Sequence, residues 1–273
     1  MGKCDLHVHT VCSDGTGEPA DVVAAASRAG LCAIAITDHD TVNGLPEAIE
    51  AGRRLGVEIL PGIELTAEHE GSEVHMLGYL FDFADPGLNQ RLAELRRNRV
   101  DRIHAMIERL AGQGVHVRPE AVFRLSREGT VGRLHLARAM VAEKVVGSVY
   151  EAFDKYIGDR CPAYVAHFKL SPAEAIALIK GYGGIPVLAH PYSFRHDELI
   201  PQFAQEGLMG LEVYYPEHSQ SMINFYTELA RRLGLLMTGG SDYHGSAKNV
   251  SIGEIDVPYE TVQALKAARR AAG

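Results

Sequence analysis

Histidine and acidic residues recur in closely spaced pairs along this chain of 273 residues, which contains 13 histidines. His7 and His9 are two residues apart, and so are Asp242 and His244. In a β-strand, residues two apart point to the same face, so both side chains of a pair can reach one metal ion. Either pair alone is also typical of half-buried polar residues, so its spacing does not separate a metal site from a structural role.

Five further potential ligands stand in turns or near the ends of apolar runs: Asp14, His39, Glu64, His75 and His190. Taken singly, Asp14 could serve an Asx turn and a histidine could hydrogen-bond a loop. Nine imidazole and carboxylate donors together favour a metal cluster. Such donors suit Zn, Mn or Fe(II), and a carboxylate such as Glu64 can bridge two cations. Asp38 and Asp40 flank His39 and are predicted to orient its ring.

The elements that would position these donors are short apolar runs separated by helix-like segments. The strand-like runs are residues 5–9, 31–36, 57–63, 74–81, 185–189, 208–215 and 235–238. Strand and helix in repeated alternation predict parallel β/α units. Barrels and open doubly wound sheets both place their active sites at the carboxyl ends of strands. We favour a barrel, because donors from at least six runs have to converge.

The middle of the chain has a different character. Residues 85–167 are rich in Arg, Glu, Leu and Ala, with apolar residues at helical spacing. We predict a mainly helical insert domain here that covers the active site, between barrel segments 1–84 and 168–273. The barrel resumes near Ser171, where Pro172 and Glu174 complete a helix-start signal. The Arg-rich stretch 96–99 is predicted to be a solvated helix face.

Composition limits the classes of partner. The net charge of −8 argues against a broad basic surface for nucleic acid. It leaves room for a small phosphorylated substrate, because bound cations can dominate the charge of a site. We expect a cytoplasmic protein without membrane attachment, since there is no apolar run of membrane-spanning length, no signal-peptide pattern and no C-x-x-C spacing. Nothing in the sequence indicates an obligate protein partner.

The motifs around these donors resemble the PHP (polymerase and histidinol phosphatase) domain family. They read D-L-H-V-H-T-x-x-S-D-G, I-T-D-H-D, G-I-E, V-H-x-L-G-Y, A-H-P and G-S-D-x-H, in family order. The resemblance implies a distorted (β/α)7 barrel and two or three divalent metal ions (Mn, Fe or Zn). It assigns the first ion to His7, His9, Glu64 and Asp242, the second to Glu64, His75 and His190, and the third to Asp14, His39 and His244.

Within the family, the chain is most similar to the 3′,5′-nucleotide bisphosphate phosphatases. Those enzymes carry a helical insert at the same point, with motifs similar to residues 132–138 and 162–167 here. Many similar enzymes have His-Pro-Gly-Arg where this chain has His-Pro-Tyr-Ser, with its arginine slightly later. The residues predicted to contact substrate are Arg133, His135, His167, Arg195 and His218.

We therefore predict a metal-dependent phosphoesterase that acts on a small phosphorylated substrate by means of a metal-activated hydroxide. The favoured reaction removes the 3′-phosphate of a nucleoside 3′,5′-bisphosphate. The alternatives are a histidinol phosphate phosphatase and a 5′-3′ exonuclease on short RNA. A non-catalytic metal-binding module is a fourth reading, but it predicts missing ligands, and all nine are present.

Overall fold

The computed structural model of the chain describes residues 2–127, 129–159, 161–166 and 170–272. The strands are β1 (Lys3–Val8), β2 (Leu31–Ile36), β3 (Glu58–His69), β4 (Ser72–Tyr79), β5 (Ile185–Leu188), β6 (Gly210–Tyr214), β7 (Leu236–Gly239) and β8 (Val257–Pro258). The helices are α1 (Pro19–Arg28), α2 (Leu45–Leu55), α3 (Pro86–Gly112), α4 (Pro119–Ser126), α5 (Arg133–Ala142), α6 (Val149–Ala152), α7 (Pro172–Gly181), α8 (Pro191–Phe194), α9 (Ile200–Glu206), α10 (Gln220–Leu233) and α11 (Glu260–Ala272).

The strands form one sheet in the order β7-β6-β5-β4-β3-β2-β1-β8. Its ends approach each other just beyond β1 and β7, where the backbone N–H of His9 donates to the carbonyl of Tyr243 at 2.9 Å. This contact nearly closes the sheet, so the predicted β/α barrel is confirmed. Strands β1 to β7 form the barrel wall, and the two-residue β8 pairs antiparallel with the start of β1.

One barrel strand departs from the expected parallel arrangement. β4 runs antiparallel to both β3 and β5. The cause is the two-residue turn at Glu70 and Gly71, whose φ angles of 49° and 82° suit the type I′ turn of a tight hairpin. β3 therefore continues past Glu64 to His69, whereas the sequence predicted that it ends at Glu64.

The barrel interior is filled by side chains that alternate along the strands. On β2, Ala33 and Ala35 belong to the interior cluster, while Ile34 and Ile36 pack outward against the surrounding helices. This is the period of two that a strand imposes. Leu265 of α11 joins the interior cluster, and α11 follows β8 at the start of β1. α11 thus covers the amino-terminal end of the barrel and leaves the carboxyl end for the site.

Helix α3 connects two separate apolar cores. Its first half packs in the barrel's outer core through Leu88, Leu92 and Leu95. Its second half packs with α4, α5 and α6 through Ile103, Met106, Ile107 and Leu110. The insert boundaries at residues 85 and 167 stay a prediction.

None of the described helices is long and apolar enough to cross a membrane. The cytoplasmic location stays a prediction.

Closure of the barrel depends on the lack of a side chain at Gly240. A Cβ added there would lie 2.4 Å from the backbone nitrogen of His7. We expect Gly240→Ala to lower the free energy of unfolding by about 1–3 kcal/mol, because β1 would have to shift. Urea unfolding measures this change. Gly112→Ala is the matched control, since a Cβ there meets no atom within 4 Å. Equal unfolding midpoints for the two variants would contradict the expectation.

Candidate metal centre

All nine predicted ligands converge at the carboxyl end of the barrel. They form four overlapping groups, and within each group the donor atoms lie within 4.8 Å of one another. The groups are His9, Asp14, His39 and His244; His7, Glu64 and His190; His7, His9 and Asp242; and His39, Glu64 and His75. His75 reaches this end because β4 is antiparallel, so its beginning lies beside the ends of its neighbours.

The donors assigned to the first ion are arranged around one oxygen of Glu64, a side chain that is 1% exposed. Its Oε2 lies 3.3 Å from Nε2 of His7 and 3.1 Å from Nε2 of His9. Oδ1 of Asp242 lies 3.2 Å from Nε2 of His9. Ligand atoms bonded at about 2.0–2.2 Å to one ion are separated by roughly 3–3.5 Å, so this spacing suits a shared ion.

The donors assigned to the second ion use the other oxygen of the same carboxylate. Oε1 of Glu64 lies 2.7 Å from Nδ1 of His75 and 3.2 Å from Nε2 of His190. Those two ring nitrogens are 3.2 Å apart. Each oxygen of Glu64 therefore faces its own set of nitrogens, which is the arrangement of a carboxylate that can bridge two cations.

The donors assigned to the third ion surround Asp14 at the edge of the cluster. Its Oδ1 lies 3.1 Å from Nε2 of His244, and its Oδ2 lies 3.8 Å from Nε2 of His39. Nδ1 of His39 is also 3.2 Å from Oε2 of Glu64. His39 thus connects this group to the central carboxylate.

The ring nitrogens that face the cluster are the best test of its fit to metal. Nε2 of His7, Nε2 of His9 and Nδ1 of His39 are buried, and none makes a hydrogen bond within the described part of the chain. Buried polar atoms in proteins nearly always have a partner. Imidazole nitrogens that lack one beside several carboxylate oxygens fit a bound divalent cation.

Buried charges hold the acidic members ionised. Burial raises the pKa of Glu64, but the rings of His39 and His75 outweigh it and lower that pKa well below its usual range. Burial lowers the pKa of His9, yet Asp242 and Glu64 raise it to about 9. A metal has to displace protons from such rings, so metal affinity falls as the pH falls.

Glu212 was missed by the sequence analysis, although it is a charged residue inside an apolar run. It is fully buried on β6. Nδ1 of His7 donates to its Oε1 at 2.9 Å, and the backbone N–H of His190 donates to its Oε2 at 2.7 Å. Glu212 therefore orients ligands from both sides of Glu64 and sets the tautomer that leaves Nε2 of His7 free.

Glu73 was missed as well. It connects the barrel with the helices α3 to α6, called the helical segment below. Its Oε1 lies 2.8 Å from Nε2 of His75. Its Oε2 lies 2.9 Å from Nη2 of Arg102 on α3 and 3.1 Å from Nη2 of Arg133 on α5. Burial raises the pKa of Glu73, but the two guanidinium groups lower it well below its usual range.

Asp38 does not orient its neighbour His39, contrary to the prediction. It accepts hydrogen bonds from the backbone N–H of Thr10 at 2.7 Å and from the hydroxyl of Ser13 at 2.6 Å. Oγ of Ser13 lies 3.3 Å from Nδ1 of His9. Asp38 thus acts on His9 through Ser13.

Asp40 also binds other residues instead of His39, among them an arginine of α3. It accepts from Nε of Arg99 at 2.5 Å and from the backbone N–H of Thr66 at 3.1 Å. The predicted solvated face holds for the exposed Arg97 but is wrong for Arg99, which is 5% exposed. Arg96 also turns toward the barrel and donates to the carbonyl of Asp40 at 3.1 Å. The helix lies against the barrel at these positions, so Arg99 forms an ion pair with Asp40 and Arg96 donates to its backbone carbonyl.

Two predicted substrate contacts lie at the start of α5, beside the predicted metal ligands. Arg133 pairs with Glu73 and, through Nη1, with Asp159 at 2.7 Å. His135 is fully buried, and its Nδ1 accepts the backbone N–H of Gly132 at 3.1 Å. Burial lowers the pKa of His135 to about 4, so its ring is neutral near pH 7.

The other predicted substrate contacts lie apart from α5. Arg195 is exposed at the end of α8. His218 is 7% exposed, donates from Nδ1 to a backbone carbonyl at 2.8 Å, and lies between the rings of Tyr215 and Tyr226. His218 thus has a packing role between these two rings. His167 lies outside the described residues.

Curated relatives of the chain include three phosphoesterases that it matches over most of their length. They are a phosphoribosyl 1,2-cyclic phosphate 1,2-diphosphodiesterase from Eggerthella lenta (34% identical, covering 88% of this chain and 94% of the relative), a 3′,5′-nucleoside bisphosphate phosphatase from Chromobacterium violaceum (32%, 89% and 88%) and the 5′-3′ exoribonuclease Rnm from Escherichia coli (31%, 91% and 87%). The three names specify different substrates.

The fold and the family are supported independently. A metal-dependent phosphoesterase from Bifidobacterium adolescentis has a solved structure that superposes with a TM-score of 0.90 at 34% identity, covering 98% of this chain and 96% of that one. The PHP domain model matches residues 5–170. These matches confirm the resemblance that the motifs indicated: the chain belongs to the PHP domain family of metal-dependent phosphoesterases.

Proposed function

We propose that this enzyme removes the 3′-phosphate from a nucleoside 3′,5′-bisphosphate, with two or three divalent ions (Mn, Fe or Zn). The observation that carries the proposal is the placement of Glu64, whose two oxygens face separate sets of ring nitrogens. The choice of substrate is supported by the Chromobacterium violaceum relative of that name, which matches 89% of this chain. The three ion sites are those that the family motifs imply.

The chain's own residues would prepare the site for this chemistry. When bound, the ions would lower the pKa of water and neutralise the charge that builds on the phosphoryl oxygens. Glu212 holds His7 and His190 in place, and Glu73 holds His75, so the ligands keep their orientation. Buried, prearranged ligands need little reorganisation as charge develops.

The helical segment would supply the phosphate contacts and cover part of the site. The backbone N–H of Thr130 donates to the carbonyl of Cys12 at 2.9 Å, which brings the start of α5 against the loop that carries Asp14. Arg133 has five N–H donors, so a phosphate oxygen can bind it alongside Glu73. His135 accepts at Nδ1, so its neutral ring carries the proton on Nε2 and can donate there.

A second candidate function is cleavage at the 5′ end of short RNA. The Escherichia coli relative named as a 5′-3′ exoribonuclease favours it, with 91% of this chain matched. Both reactions proceed by attack of water on phosphorus, at a monoester in the first and at a diester in the second, so one metal cluster suits either of them. The net charge of −8 favours short RNA over long chains.

The substrate is tested by phosphate or nucleotide release with Mn²⁺ present. We expect adenosine 3′,5′-bisphosphate to be preferred over histidinol phosphate, phosphoribosyl 1,2-cyclic phosphate and a short 5′-phosphorylated RNA. His9→Ala should lower kcat/KM by more than the roughly 100-fold that loss of an outer partner of a ligand costs. Preference for another of the four compounds would keep the metal chemistry and overturn the substrate.

The orienting role of Glu212 predicts a defect in metal binding. Glu212→Gln keeps the size of the side chain but loses charge and one acceptor, so His7 and His190 are less well fixed. We expect about 10–100-fold weaker binding of at least one ion, measured by Mn²⁺ titration and metal analysis. Glu217→Gln, an exposed neighbour, is the control. Wild-type affinity in Glu212→Gln would contradict the role.

Arg133 is predicted to affect substrate more than folding, because Arg102 remains as a cationic partner of the buried Glu73 when Arg133 is replaced. Arg133→Met removes a charge beside Glu73 and a bidentate phosphate donor. We expect kcat/KM for the bisphosphate to fall about 10–100-fold, with the largest effect on KM. The exposed Arg124→Met on α4 serves as control. A variant with normal kinetics would show that the phosphate binds elsewhere.

A further inference from the structure

A cavity of about 320 Å³ opens beside the metal centre, between the segment after β5 and the first turns of α10. Its lining includes Tyr192, Arg195, Asp197, Met222, Phe225 and Tyr226. Both elements follow barrel strands at their carboxyl ends, so the cavity opens on the same face as the metal ligands. Its volume is at the lower end of the range of roughly 300–1,000 Å³ for small-molecule sites.

The cavity is joined to the metal centre by a row of rings. His190, a predicted metal ligand, directly precedes α8, whose second residue is Tyr192. The ring of Tyr215 lies 5.4 Å from that of His190 and 5.3 Å from that of His218. His218 is in turn 5.0 Å from Tyr226 in the cavity wall. The candidate metal centre and the cavity are therefore neighbours on the same face of the barrel.

The exposure of His190 is compatible with an opening on the side of the cavity. Its side chain is 12% exposed, whereas those of His7 and His9 are fully buried. The helical segment packs on the β1, β2 and β4 side, through the loop at residue 12, Asp40 and Glu73. The loops after β5 and β6 lie on the other side of the barrel mouth.

The aromatic side chains of the cavity point to the class of ligand. Tyr192 and Phe225 are 36% and 50% exposed, which leaves large ring surfaces open beside a phosphoesterase site. Nucleobases stack on such rings whatever their sequence. Arg195 and Asp197 supply a donor and an acceptor for the polar edge of a base, and the hydroxyl of Tyr226 donates to Asp197 at 3.1 Å.

We propose that this cavity binds the nucleobase of the substrate, with Phe225 and Tyr192 as its stacking surfaces. The inference rests on the proposed function, because it needs a nucleotide substrate. It also gives Arg195, a predicted substrate contact, the role of a contact with the base.

Binding of a reaction product separates this inference from catalysis. Calorimetry on the metal-loaded protein compares adenosine 5′-phosphate with ribose 5-phosphate, which lacks the base. We expect the nucleotide to bind at least about tenfold more tightly. Phe225→Ala and Tyr192→Ala should each reduce that ratio severalfold, while the exposed Leu55→Ala on α2 should keep it. An unchanged ratio in both cavity variants would overturn the inference.

Kinetics distinguish failure of the subsite from failure of the proposed function. The selectivity for adenosine 3′,5′-bisphosphate over its abasic analogue should fall about tenfold in Phe225→Ala. Turnover of the bisphosphate with unchanged selectivity would overturn the subsite and keep the function. Absence of bisphosphate turnover, with base-dependent binding lost in Phe225→Ala, would overturn the function and keep the subsite.

Discussion

The structure depends on one buried carboxylate, that of Glu64, placed among imidazole rings from four other barrel positions. An ionised carboxylate at 1% exposure is stable only if cationic or metal partners compensate it. Those partners come from β1, the loop after β2, β4 and the loop after β5. Because they are so far apart in sequence, the barrel has to close accurately before the carboxylate is satisfied. The local chemistry and the fold are thus coupled.

Two further buried carboxylates, Glu212 and Glu73, hold the histidines that surround Glu64. Glu212 accepts from His7 and from the backbone of His190, while Glu73 accepts from His75 and pairs with two arginines of the helical segment. Removal of one member of such a network leaves another buried charge unpaired. The orientation of the predicted metal ligands therefore depends on Glu212 and Glu73, which belong to none of the four donor groups.

The sequence predicted the metal-donor residues better than the buried residues that orient them. Pairs such as His7 and His9 stand out, because chemistry at the ends of strands follows from local spacing. Glu212 lies within an apolar run, and nothing local says that a ring 205 residues away accounts for its burial. Arg99 carries the pattern of a solvated helix, and only the packing of α3 on the barrel makes it a partner of Asp40. The antiparallel direction of β4 is set by a single turn, at Glu70 and Gly71.

The metal donors and the proposed substrate contacts lie on different elements, which is compatible with relatives that act on different substrates. The nine donors sit on barrel strands and their adjoining loops, where movement of one would disturb the shared carboxylate, so the metal chemistry is fixed by the fold. Residues that would meet the rest of the substrate lie on α5 and on the segments after β5 and β6. Those elements can change without disturbing Glu64. Under both proposals, substrate choice would be set by the helical segment and the aromatic cavity, on opposite sides of the same cluster.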